Sequence, residues 1–125
     1  MITELKKYEN GIFEVNANGE MHLEDLMKLR DFMDEMISSS KGGYHKFFGC
    51  LNLKNVPLPS LEFLQKDLGL AEKYKSYIGA MAVIGDAKWE KAWFAIMKNF
   101  AGVKIKFFSE EARSKAKKWI NDLAK

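Results

Sequence analysis

Apolar positions recur along the chain with two periods, alternating residue by residue in some stretches and by threes and fours in others. Ile2 to Tyr8 and Ile12-Phe13-Glu14-Val15-Asn16 are two short β-type runs separated by the turn signal Glu9-Asn10-Gly11, which predicts an antiparallel hairpin. A second turn signal, Asn18-Gly19, leads into a first helix. Glu24 and Asp25 fall in its first turn, where carboxylates favour the exposed amides, and Leu26, Leu29, Met33 and Met36 or Ile37 form one apolar stripe. Ser38-Ser39-Ser40-Lys41-Gly42-Gly43 then ends it.

From here strand and helix signals alternate, the pattern of parallel strands joined by crossover helices. The strands are Lys46 to Leu53, Tyr77 to Ile84 and Val103 to Phe108. Phe47-Phe48-Gly49-Cys50-Leu51 and Ala80-Met81-Ala82-Val83-Ile84 are nearly continuous apolar runs, as central strands covered on both faces require. Val103-Lys104-Ile105-Lys106-Phe107 alternates apolar and basic residues and reads as an edge strand. A second helix follows Pro57 and Pro59, with Ser60 as N-cap, Leu61, Leu64, Leu68 and Ala71 inward, and Gly69 weakening its middle. The third has Asp86 as N-cap, the stripe Trp89, Trp93, Ile96, Met97 and Phe100, and Gly102 at its end. The fourth starts at Ser109 and buries Ala112, Ala116, Trp119, Ile120 and Leu123. The expected fold is α/β: one domain over residues 1–125, with a five-stranded mixed sheet (an N-terminal antiparallel hairpin plus parallel strands) and four helices.

Composition narrows the class. In 125 residues, 47% hydrophobic and 30% charged positions are the balance of a globular domain rather than a disordered one. The longest apolar stretch, Ile78 to Ile84, is interrupted by Gly79 and falls far short of the roughly 20 residues of a membrane span, so no transmembrane segment is expected. Met1-Ile2-Thr3-Glu4-Leu5-Lys6 lacks the basic-then-apolar order of a signal peptide, and the lone Cys50 cannot form an internal disulfide. A cytoplasmic location is the expectation. The net charge of +3 is spread among lysines interleaved with Asp and Glu, so nucleic acid is not the expected partner. The nearest basic cluster, Lys115, Lys117 and Lys118, sits where cations favour the negative end of a helix dipole.

The chemistry-bearing residues offer little convergence. Cys50, His22 and His45 are the only nitrogen and sulfur donors suited to a metal, with no short-spaced pair, so neither a metal nor another cofactor is expected. Cys50 lies in an apolar strand, where a cysteine behaves as a small hydrophobe rather than a nucleophile. Neither a Gly-x-Ser-x-Gly elbow nor a Walker A loop is present. No catalytic residue is assigned, and the chain is not expected to be an enzyme. Trp89, Trp93 and Phe100 have the spacing of a core stripe, whereas Phe94 is off it and is the candidate interface aromatic.

Topology supplies a better candidate region. In an open parallel sheet the C-terminal strand ends and the following helix N-termini gather at one edge, where ligands and partners bind. Here that edge comprises Asn52 to Ser60, Gly85-Asp86-Ala87-Lys88 and Ser109-Glu110. Asn52, Val56, Leu58, Ser60, Gly85, Asp86, Lys88 and Phe94 are the ligand- or partner-binding candidates. Val56-Pro57-Leu58-Pro59 either packs under the second helix or presents an apolar contact, and packing is favoured because prolines commonly open helices.

Ala82-Val83-Ile84-Gly85-Asp86-Ala87-Lys88-Trp89-Glu90-Lys91 resembles the strand-to-helix junction of the SpoIIAA-like family, whose members read A-V-V-G-D-x-K-W-E there. The opening hairpin, Gly19, the Leu51-Asn52-Leu53 strand and the Val103 to Trp119 region extend the likeness over nearly the whole chain. The resemblance implies a five-stranded mixed sheet related to STAS domains that act as anti-sigma factor antagonists, and a further relation to CRAL-TRIO-type lipid-binding domains. The first relative implies a regulatory protein-interaction module. The second implies a carrier or sensor of a small apolar, lipid-like ligand, enclosed between the second and third helices and the sheet. STAS antagonists carry a phosphorylatable serine in an Asp-Ser-Ser-Gly-like turn, whereas this chain reads Pro59-Ser60-Leu61-Glu62, so no phosphosite is carried over. The leading expectation is an interaction module with an unknown protein partner or a second copy of itself, and the apolar-ligand carrier is the alternative.

Overall fold

A computed structural model describes residues 1–40, 46–57, 69, 72–86, 88 and 104–124. It contains a five-stranded sheet in the order β1-β2-β3-β4-β5: Ile2–Lys7, Ile12–Asn18, Phe47–Lys54, Ile78–Ile84 and Lys104–Phe108. β1 pairs antiparallel with β2, and β2, β3, β4 and β5 pair parallel in sequence. The expected hairpin and mixed sheet are therefore present, and β2 also opens the parallel series. Asn10 (φ 62°) and Gly11 (φ 75°) take the left-handed backbone that closes the hairpin, and the Tyr8 amide donates to the Ile12 carbonyl at 2.8 Å. Among the described residues β5 pairs with β4 alone, so the alternating lysine strand is an edge of this sheet, as its pattern required.

Four helices were expected. The described residues hold three α-helical segments longer than one residue: α1 (Leu23–Ser40), residues 72–74, and the C-terminal helix Arg113–Ala124. Residues 72–74 fall just after the span expected for the second helix, and most of the second and third helices lies outside the described residues. α1 continues through the serines expected to end it. The C-terminal helix is preceded by a 3-10 turn, Glu110–Ala112, so its regular part begins after the expected Ser109 cap. No helix among the described residues is long and apolar enough to cross a membrane.

Register divides the sheet into two faces. Phe13, Gly49, Met81 and Ile105 are aligned across β2 to β5, as are Val15, Leu51, Val83 and Phe107, and on this face Phe13, Val15, Leu51 and Met81 pack with α1. α1 contributes Phe32, Met33 and Met36, with Leu29 and Ile37 partly buried. Gly49 leaves room for the Phe13 ring, since a Cβ there would stand 2.4 Å from Phe13 Cζ. Phe13 then stacks tilted on Phe32 at 6.1 Å between ring centres. Asp25 ties the layers together: its carboxylate accepts the His22 amide at 2.8 Å, half of a capping box, and the Ile2 amide of β1 at 2.9 Å.

The opposite face carries the rows Ile12-Phe48-Ala80-Lys104, Glu14-Cys50-Ala82-Lys106 and Asn16-Asn52-Ile84-Phe108. Ala80, Ala82 and Ala116 are fully buried. Their small side chains let the C-terminal helix lie close over β3 and β4, with Ile120 beside them and Trp119 tilted on Phe108 at 6.0 Å. Among the described residues it is this helix of 12 residues that covers the face, chiefly over β3 and β4. The strip over β1 and β2 carries Glu4, Lys6, Glu14 and Asn16, and between this strip and the helix the surface dips.

Candidate functional site

At the expected edge, the described residues divide into buried and exposed sets. Asn52 is 4% exposed and points into the sheet face, where its Nδ2 donates to Glu14 Oε1 and to Asn16 Oδ1, both at 2.6 Å. Val56 is buried against Ala17, Leu53 and Val83, while Pro57 after it is exposed and the rest of the loop lies outside the described residues. Gly85 is buried: its amide donates to the Phe108 carbonyl at 3.1 Å, and an added Cβ would touch Leu53 and Phe107 at 3.5 Å. Asp86 and Lys88 are exposed, and Asp86 Oδ1 accepts the Lys88 amide at 3.0 Å, the bond of a helix N-cap. Leu58, Ser60 and Phe94 lie outside the described residues, as does the space between the second and third helices where an apolar ligand was expected.

The sheet face under the C-terminal helix holds a polar chain that sequence reasoning missed. Tyr8 Oη donates to Glu14 Oε2 at 2.8 Å, Asn52 bridges Glu14 and Asn16, and Asn16 Nδ2 donates to Glu4 Oε1 at 3.2 Å. Glu14 is 8% exposed, unusual for a carboxylate, and both its oxygens accept from neutral donors. Lys6 stands opposite Glu14 across the β1–β2 pair, but its ammonium lies on Glu4 at 3.3 Å. Beside Glu14 opens a cleft of about 430 Å³, with Ile12, Cys50 and Ile120 as its apolar wall, Glu9 and Asn10 of the hairpin turn also lining it, and Tyr8, Lys117 and Asn121 exposed at its rim.

Cys50 is buried in this wall. Burial pushes its thiol up to about 11, the Glu14 charge adds to the effect, and Lys117 and Arg113 oppose it. A thiol held there is neutral near pH 7 and a poor nucleophile. On the other face, Tyr74 donates to Asp34, and burial, then that bond, raise its hydroxyl to about 12. No group of three or more metal-ligating side chains occurs among the described residues.

Alternation could have suggested part of this. Ile12, Glu14 and Asn16 share one face of β2, and Phe48, Cys50 and Asn52 share one face of β3. Only the register that sets Asn16 beside Asn52 brings Glu14, Asn16 and Asn52 together, and nothing local in the sequence fixes it.

The family model for SpoIIAA-like proteins matches residues 12–121. The chain belongs to the SpoIIAA-like family. The fold agrees: an uncharacterized protein from the DUF3478 family with a SpoIIAA-like fold, from Shewanella loihica PV-4, superimposes with a TM-score of 0.66 at 20% identity, over 96% of this chain and 92% of that one. No curated protein matches the sequence. The five-stranded sheet and the Gly85-Asp86 junction thus sit in a SpoIIAA-like framework, with the polar chain and cleft on the face under its C-terminal helix.

Proposed function

We propose that this SpoIIAA-like chain is a non-enzymatic interaction module of the STAS type, which holds a protein partner, or a second copy of itself, at the edge where β4 ends. The observation that carries this is how the reactive residue types of the sheet are used. Glu14, Asn16 and Asn52 are bonded to one another in the interior, and Cys50 is held as a neutral thiol. Groups held in this way do not attack a substrate, and this reading assigns the partner to the exposed edge at the end of β4. Just past the end of β4 the buried Gly85 is followed by the exposed Asp86 and Lys88, two charged residues of opposite sign. The Asp-Ser-Ser-Gly-like turn of STAS antagonists is not reproduced at Pro59-Ser60-Leu61-Glu62, so the module is proposed to work without phosphorylation of Ser60. The test is a photo-crosslinking amino acid placed at position 88 and, as a control, at the exposed Lys118 of the C-terminal helix. A discrete adduct from position 88 alone is expected. Adducts from neither position, or equally from both, would remove the basis for this function.

A further inference from the structure

We infer that the cleft between the β1–β2 hairpin and the C-terminal helix is a binding site for a small organic amine, its ammonium seated on Glu14 and its apolar body against Ile12, Cys50 and Ile120. This goes beyond the interaction edge and lies on residues distinct from it. Three observations converge. Glu14 is a carboxylate 8% exposed at the cleft wall, with only two neutral donors, Tyr8 Oη at 2.8 Å and Asn52 Nδ2 at 2.6 Å. Two oxygens offer about four acceptor sites, so capacity for further donors remains. Among the described residues no cation lies within ion-pair distance of it, because Lys6 is engaged with Glu4 at 3.3 Å and Lys117 stands at the rim.

A buried carboxylate without a cation is costly, and an incoming ammonium supplies both the missing charge and the missing donors. The rest of the cleft sets the remainder of the ligand. Ile12, Cys50 and Ile120 give it an apolar wall, with the polar Glu9 and Asn10 of the hairpin turn beside it, and its volume of about 430 Å³ is that of a small-molecule site rather than a macromolecular groove. Lys117 and Asn121 at the mouth suit a hydrogen-bond acceptor at the far end of the ligand.

The experiment is a titration of the isotopically labelled protein, followed by NMR, with 2-phenylethylamine, its isostere 2-phenylethanol, and the anionic 3-phenylpropionate. The amine is expected to give saturable shifts at Glu14, Cys50 and Ile120 and to bind at least about tenfold more tightly than the alcohol, as a charge-assisted bond requires. Glu14→Gln should abolish the preference for the amine. Asn121→Trp, at an exposed rim position, should block both probes without touching the buried polar chain. That variant and the wild-type amine-to-alcohol ratio keep the test decisive if Glu14→Gln fails to fold. Equal binding of amine and alcohol, tighter binding of the carboxylate, no saturable shift with the amine, or undiminished binding by Asn121→Trp would each overturn the assignment.

Discussion

Replacing Asn52 by aspartate exchanges a donor for an acceptor at one buried point of the β2–β3 pairing. The Asn52 amide now bonds Glu14 Oε1 and Asn16 Oδ1, each at 2.6 Å, in surroundings where Asn52 is 4% and Glu14 8% exposed. Asn52→Asp sets a second carboxyl in contact with Glu14. Two such groups cannot both ionise, so one takes up a proton and its value in the folded state rises. A group raised on folding contributes its stability below its unfolded value and loses it as pH climbs towards the folded one. The electrostatic loss cannot exceed the cost of keeping that proton, about 1.4 kcal/mol for each pH unit above an ordinary carboxyl value near 4. The variant should therefore lose up to about 4 kcal/mol at pH 7 from this source and almost none near pH 4. Urea unfolding of both proteins at pH 7 and pH 4.5 measures it as the difference between them at each pH. If the variant is penalised equally at both, or more in acid, Asn52 and Glu14 do not share a dry contact and the polar chain is wrongly drawn.

The remaining predictions concern the supports of the scaffold. Burial alone would raise the Asp25 carboxyl, but the amides of Ile2 and His22 outweigh it and hold the group below its usual value, so its contribution is present above about pH 4 and is lost as pH falls through the folded value. Asp25→Ala should cost about 2–4 kcal/mol in urea unfolding at pH 7, with the gap to wild type narrowing in acid. Gly49→Ala would place a methyl 2.4 Å from Phe13 Cζ and 3.0 Å from Met81 Sδ. It should lower stability by about 1–3 kcal/mol in thermal unfolding, and an unchanged midpoint would mean that the Phe13 ring does not lie across Gly49. With its thiol at about 11, Cys50 should react with iodoacetamide at pH 7 at least about a hundredfold more slowly than the unfolded chain in urea. Labelling at the same rate in both states would place the thiol in solvent.

Much of the architecture was legible because it rests on local patterns. The apolar runs of β3 and β4, the lysine alternation of β5 and the Glu9-Asn10-Gly11 turn each report how many faces of a segment meet solvent, or where φ must turn positive. The Ala116 and Ile120 face of the C-terminal helix was readable for the same reason, as was Cys50 as a packed thiol. Phe32 was not assigned to the stripe of α1, although it is buried beside Met33, because helical spacing gives an arc and the neighbouring element decides its width.

The site was a different matter. Proximity to a strand end made Asn52 and Val56 candidates, yet the tertiary structure turns the amide of one towards Glu14 and packs the other against Ala17 and Leu53. Glu14 itself looked like a polar residue in an alternating strand. What made it a buried carboxylate was the register of β2 on β3 and the line along which a helix nearly a hundred residues later settles on Ala80 and Ala82. Sequence alone determined the five strands, the first and last helices, their order and the family, since periodicity, turn chemistry and the Gly85-Asp86 junction are properties of neighbours in the chain. The polar chain and the cleft were decided only in three dimensions, because register and helix docking are settled by side chains that meet across the sheet rather than along the chain.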